Sequence, residues 1–280
     1  MRAPHDAKEH PRAAAARQNL LVAQAATLGC PRAAMSHFPA ALAWGMPVFG
    51  DLHRACVTVQ SGTPLRSLAN VHLHRATLAS DDLSSLAGWP VLHPARTVMD
   101  VAREHGVHAG VVAADFALHE QLVNLRGLET AFEQCRQWPG RKAARATMLT
   151  ADGVAESPLE SLSRLQMVAS GLPRPRLQAE ICDEYGRSVA RVDFYWEDFG
   201  VVGESDGNLK YERGARAIVE EKARHKELEE LGLVVVRWGW ADLFPFDKVA
   251  RRLRAAYVRG LPVGSPERRW GVLLPHRLHS

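Results

Sequence analysis

Between Arg191 and Ser205 the chain reads RVDFYWEDFGVVGES, and few arrangements accommodate that stretch. Two β-rich runs, SVARVDFYW (188–196) and GVVGES (200–205), flank Glu197-Asp198-Phe199-Gly200. Short β-branched and aromatic runs separated by a few residues that include Gly predict a hairpin. If those four residues form its loop, the register sets Asp193 opposite Glu204. Opposed side chains in an antiparallel pair share a face, with Cβ atoms about 4.5–5.5 Å apart. Asp206, two positions beyond Glu204, joins that face if the strand continues, while Val192 and Phe194 turn to the other side, toward a core.

The surrounding order narrows the fold further. Ser157-Pro158 supplies an N-cap and a first-turn proline for a helix over LESLSRLQMVAS, which Gly171, Pro173 and Pro175 cannot continue. RLQAEIC (176–182) is a third strand candidate. A long amphipathic helix over about 211–231, a β-rich run LVVVRW (233–238) and a last helix near 247–259 follow. Helix, three strands, helix, strand predicts an α/β domain over 151–260. The Pro-, Gly- and Arg-rich residues 261–280 are expected to form a loosely packed arm.

Asp152-Gly153 marks the break before that pattern. Residues 1–150 read as an α+β domain ending in a helical array. A helix over 13–28 stops at Gly29 and Pro31, and Ser36 is a plausible N-cap for HFPAALAWG. ACVTVQ (55–60) and VHLHRA (71–76) are strand candidates around a Ser/Gly/Thr/Pro turn, and LAGWPVL suggests one more short strand. From Pro94 onward TVMDVARE, VHAGVVAADFALHE, LRGLETAFEQCRQW and RKAARATMLTA read as successive helices.

Three carboxylates on one strand face repel and raise one another's pKa. A hard divalent cation, Mg2+ or Mn2+, offsets that repulsion, since such ions prefer carboxylate oxygens. Such an ion would polarise a phosphoryl oxygen and lower the pKa of a bound water. Lys210 is placed to orient that water or steady developing negative charge, and Glu160 on the preceding helix to reach the ion's water shell. Solvated strand acids are the plain alternative, in a chain with 31 Asp and Glu residues.

These motifs carry a resemblance. ESPLESLSR, RLQ, RVDFYWEDFGVVGESDGNLKY and EKARHKELEELGLVVVRW together resemble the PD-(D/E)XK nuclease superfamily, in its branch related to very-short-patch-repair endonucleases. The branch's pattern falls on Glu160, Gln178, Asp193, Glu204, Asp206, Gly207, Arg224 and Arg237. The resemblance implies a restriction-endonuclease-like α/β fold and metal-dependent phosphodiester cleavage with Asp193 and Glu204 as ligands. Two positions depart from the pattern. Asp206 stands where the superfamily usually has Lys, and Asn208-Leu209-Lys210 replaces the His that often follows Asp-Gly. In the first half, MSHFPAALAWGMPV, LHPARTVMDVARE and VAADFALHEQLVN resemble the AbiEi-type antitoxin family of type IV toxin–antitoxin systems. A full winged helix is not evident there. A cognate toxin is the partner this second resemblance implies.

Composition separates the function classes. No apolar run approaches the length of a spanning helix, and no signal peptide is evident, so a cytoplasmic protein without a membrane partner is expected. Cys30, Cys56, Cys135 and Cys182 are far apart without CxxC spacing, which argues against a thiolate zinc cluster and a disulfide scaffold. Residues 1–150 carry 15 Lys and Arg against 11 Asp and Glu, and residues 151–280 carry 20 of each, so the second half is no simple basic clamp. Gln178, Lys222, Arg224 and Arg237 are the candidate nucleic-acid contacts. Arg141, Lys142 and Arg145, or Arg251, Arg252 and Arg254, are either phosphate contacts or solvated helix faces. Trp238 and Trp240 suit a core better than base stacking. His72 and His74 alternate on a strand without an evident third ligand, which favours an exposed strand face over a metal pair. Three readings remain: a Mg2+-assisted DNA endonuclease, a non-catalytic DNA-binding regulator of a toxin–antitoxin locus with a degenerate nuclease fold, and a protein-interaction module that never meets nucleic acid.

Overall fold

The computed structural model describes residues 10–30, 32–63, 69–206, 215–261 and 264–273, with backbone alone at 215–222 and 273. It divides into two compact units, Met1–Gly153 and Val154–Ser280. Among the described residues the architecture is α+β, with two mixed five-stranded sheets and eight α-helices. No described helix is long and apolar enough to cross a membrane.

The first unit runs α1 (Pro11–Gly29), β1 (Ala33–Met35), α2 (His37–Ala43), β2 (Ala55–Gln60), β3 (Val71–Ala76), β4 (Leu83–Leu86) and β5 (Trp89–Leu92). Three helices follow, α3 (Pro94–His119), α4 (Leu125–Cys135) and α5 (Arg141–Thr150). The sheet order is β3-β2-β1-β5-β4. Strand alternation sorts β2 cleanly. Ala55, Val57 and Val59 enter a core with Ala23 and Ala26 of α1 and Met35 and Val91. Cys56 and Thr58 face the other way. They pair in parallel with His72 and His74, so all four occupy that second face. A separate core joins Phe38 of α2 to Val98, Met99, Leu128, Cys135 and Ala144 of the helical array.

Two sequence expectations change here. LAGWPVL is not one strand: Ala87 (φ 49°) and Gly88 (φ 83°) form a two-residue turn between antiparallel β4 and β5. Positive φ at both central residues is what a tight hairpin needs. The helices read from TVMDVARE and VHAGVVAADFALHE run on as α3, but Gly106 (φ 87°, ψ 175°) breaks the helical backbone between them.

The second unit runs α6 (Pro158–Ala169), β6 (Arg176–Asp183), β7 (Ser188–Trp196), β8 (Val201–Ser205), α7 (Ala215–Glu230), β9 (Val234–Trp238), α8 (Asp247–Arg259) and β10 (Trp270–Leu273). The sheet order is β10-β6-β7-β8-β9, antiparallel except for β8 with β9. The expected helix, three strands, helix, strand order is present. Within the expected loose arm, 270–273 is instead a strand: β10 extends the sheet along β6, and the Trp270 indole donates to Tyr195 Oη at 2.9 Å, while 262–263 and 274–280 lie outside the described residues. Four residues beside a Gly- and Pro-rich stretch carry too short a pattern to read as a strand. The sheet is covered on both faces. Tyr195 and Val202 pack with Leu228 of α7. On the alternate side, Trp238 donates to Ser163 Oγ of α6 at 2.8 Å and meets Phe246 edge-on, while Trp196 lies against Tyr257 of α8. Trp238 is therefore a core residue, and Trp240 is partly exposed.

Candidate functional site

The hairpin register is the one its loop dictates. Glu197–Phe199 form a short 3-10 turn closed by Gly200 at φ 59°, and Trp196↔Val201, Tyr195↔Val202 and Phe194↔Gly203 pair in sequence. Asp193 and Glu204 are the next opposed positions. The ladder stops short of them because Asp193 Oδ2 accepts both the Ser205 amide at 2.8 Å and its hydroxyl at 2.9 Å. On the far sides Glu204 pairs with Arg237 of β9, and Gln178 stands opposite Asp193 between the pairs Leu177↔Phe194 and Ala179↔Val192. Gln178, Asp193, Glu204 and Arg237 thus form one row across four strands.

Each acid is held differently. Glu204 is buried and ion-paired to two guanidiniums, Arg224 of α7 at 3.3 Å and Arg237 at 2.5 Å. Glu160 is buried in the first turn of α6. Its Oε1 accepts the Ser157 hydroxyl at 2.7 Å, and its Oε2 accepts the Glu156 amide at 3.1 Å and the Gln178 side-chain amide at 2.8 Å. The Ser157 hydroxyl also accepts the Glu160 amide, so the capping arrangement that starts α6 fixes this carboxylate. Gln178 has a left-handed backbone (φ 51°) inside a strand. Such a conformation costs on the order of 1–3 kcal/mol and clusters at functional sites. The Asp206 amide donates to the Trp238 carbonyl at 2.8 Å, which fixes its backbone beside the end of β9.

The electrostatics tie these acids together. Burial raises the Asp193 carboxyl above the ordinary range, the two Ser205 bonds oppose that, and the negative charge of Asp206 adds to it. Burial likewise raises Glu160, against its Ser157 bond, and the Asp193 charge adds to the rise. Among the described residues, the oxygens of Asp193, Glu204 and Asp206 do not form a group lying wholly within 4.8 Å. Both Glu204 oxygens already face guanidiniums, Oε1 that of Arg224 and Oε2 that of Arg237.

Lys210 lies outside the described residues, and Lys222 falls on α7 where backbone alone is described. The role of Ser205 has no signature in the sequence beyond its place next to Glu204. In the basic clusters, Arg254 donates to the Ser170 carbonyl at 2.6 Å. His72 is exposed as a strand-face residue, but His74 is not. Its ring stacks on His37 with centroids 4.0 Å apart. Burial holds the His74 imidazole down at about 4 and His37 well below its usual value, so both are neutral near pH 7. Ser36 precedes α2 but makes no capping bond; its hydroxyl meets His37 Nδ1 at 2.9 Å.

No family model matches the chain. It is similar to two proteins of Mycobacterium tuberculosis, Uncharacterized protein MT2308 of strain CDC 1551 / Oshkosh and Uncharacterized protein Rv2248 of strain ATCC 25618 / H37Rv. Each is 32% identical over 175 residues, which cover 62% of this chain and 63% of the relative.

Proposed function

We propose that the second unit is a metal-dependent endonuclease-like domain that hydrolyses DNA phosphodiester bonds. The observation that carries this is the row Gln178–Asp193–Glu204–Arg237 with Glu160 bonded to Gln178, four strands and a helix converging on a set of buried or half-buried acids. Asp193, Glu204 and Asp206 are the hard oxygen donors that would hold Mg2+ or Mn2+. Bound there, the ion supplies Lewis-acid polarisation of the phosphoryl oxygen and a lower pKa for water. The chain's own residues do the positioning. Ser205 orients Asp193 through two hydrogen bonds. Arg224 and Arg237 pair with Glu204 and, once it turns to the cation, are free to meet a phosphate. Glu160, fixed by Ser157 and Gln178, orients water beside Asp193. Lys210 and Lys222 enter this reading from the sequence alone, as support for the nucleophile and as a phosphate contact.

A second reading has its own observation. Glu204 is engaged by two guanidiniums and Asp206 stands at the usual Lys position, which suits a DNA-binding regulator without turnover. A plasmid-nicking assay with Mg2+ or Mn2+ separates the two. Nicking that disappears in Asp193→Ala, with DNA binding retained, supports the enzyme. DNA binding without cleavage under either metal removes it and leaves the regulator, with a cognate toxin as partner.

A further inference from the structure

The first unit contains a second constellation, on the sheet face that α1 leaves free. Parallel pairing of β2 with β3 puts Cys56 opposite His72 and Thr58 opposite His74. The chain returns across this face at the start of α2, where His37 is buried. We propose that His37, Cys56 and His74 bind a Zn2+ ion.

Four observations support the site. One ligand atom from each of the three residues lies within 4.8 Å of the other two, so small side-chain rotations close them on one cation. Ser36 Oγ sits 2.9 Å from His37 Nδ1. With that nitrogen donating its proton to the hydroxyl, Nε2 carries the lone pair, the outer-shell bond that metal-ligating histidines usually make. His74 Nε2 is buried without a hydrogen-bond partner, a loss that a coordinate bond would recover. His37 keeps a left-handed backbone, φ 53°, at a helix start where an extended or helical conformation would serve. That conformation swings its imidazole over His74.

The donor set selects the metal. One thiolate and two imidazoles suit Zn2+, and the oxygen-preferring Mg2+ and Ca2+ suit them poorly. Cys56 is buried and free of any disulfide. On binding, its thiol proton is released to solvent and the sulfur coordinates as thiolate. His74 also belongs to a group with His72 and Glu104, both partly exposed, whose ligand atoms again lie within 4.8 Å of one another. Glu104, through its shared neighbour His74, or water is the candidate for the fourth tetrahedral position. The ion would pin the start of α2 to β2 and to β3, the edge strand of the sheet.

The full chain, stripped of metal with a chelator and dialysed, is loaded with Zn2+ or Co2+ alone. Elemental analysis is expected to give one equivalent of zinc per chain. The Co2+ form should show thiolate-to-metal charge-transfer absorption in the near ultraviolet. Cys56→Ser should abolish that band and His74→Ala should abolish the bound equivalent, whereas Cys135→Ser and Asp193→Ala should keep both. Ser36→Ala should weaken zinc about 10- to 100-fold while leaving the ligands in place. Circular dichroism checks that each variant is folded. If Cys56→Ser fails to fold, protection of the wild-type thiols against alkylation by added Zn2+ decides, with Cys56 identified by peptide mapping. Absence of stoichiometric zinc in the wild type, a band that survives Cys56→Ser, or an unprotected Cys56 overturns the site.

Discussion

Gly203 shows how little room the core of the second unit leaves beside the candidate site's strand. A Cβ there would lie 2.6 Å from the Trp238 ring and 3.0 Å from Trp196. Both rings are buried, so neither can swing away. Gly203→Ala should destabilise the second unit by about 1–3 kcal/mol, as overpacking does, read as a lower urea midpoint with an unchanged slope. Asp193 offers a different test. Burial raises its carboxyl, so between the ordinary carboxylate range and that raised value the native state binds more protons than the unfolded chain. Stability from this group therefore falls as pH rises through the window and is constant above it. Asn keeps an acceptor for Ser205 but does not titrate. The stability of Asp193→Asn relative to the parent should grow as pH rises through that window, and the gap should close in acid. Urea unfolding at a series of pH values measures it. A gap independent of pH would mean that Asp193 is not held in the desolvated setting described above.

Elements succeed or fail as sequence readings according to how local their causes are. Strands 55–60, 71–76 and 188–196 have the expected ends because alternation and flanking turn residues are local signals. The Asp193–Glu204 opposition is legible for the same reason, since a short loop sets its register. The His37–Cys56–His74 cluster is illegible, because it depends on which strand lies beside β2 and on the return of α2 over the sheet. The strand β10 escapes notice because its stability is all long-range. Trp270 is buried and bonded to Tyr195, and β10 covers the edge of β6. Trp270→Ala should cost about 3–5 kcal/mol, the usual range for losing a buried large aromatic, where a loose tail would register almost nothing. Chemical denaturation discriminates the two. A partly local device sits in the first unit, where Arg96 is buried between Asp82 at 3.2 Å and Asp100, one turn along α3, at 2.9 Å. Arg103 meets Asp100 at 2.8 Å, and both guanidiniums lie over Trp138. Asp100→Ala leaves Arg103 without its carboxylate partner and Arg96 with Asp82 alone. Breaking a buried pair should lower stability by roughly 3 kcal/mol, with Asp82 left to limit the loss. Thermal melts of the parent and variant measure it.

At the scale of the whole molecule, charge decides how the chain meets a polyanion. The net +4 comes from residues 1–150, while residues 151–280 carry equal numbers of acids and bases. Among the described residues the proposed site offers little further positive charge, because Arg224 and Arg237 are bound to Glu204 and the Asp206 charge adds to the negative potential at Asp193. A phosphate approaching this row meets carboxylates whose repulsion is offset only if a cation or a proton neutralises them. Binding to DNA through the site should therefore depend on divalent metal even where cleavage is not measured. At fixed ionic strength, Ca2+ or Mg2+ should tighten DNA binding by about tenfold, the equivalent of roughly 1.4 kcal/mol. Asp193→Asn removes one of the repelling charges, so it should bind DNA more tightly than the parent without metal and respond less to added metal. Fluorescence anisotropy with a labelled duplex measures both arms. An affinity indifferent to metal and to Asp193→Asn would place the DNA contact elsewhere on the chain, with the salt dependence then reporting the Lys and Arg residues that carry it.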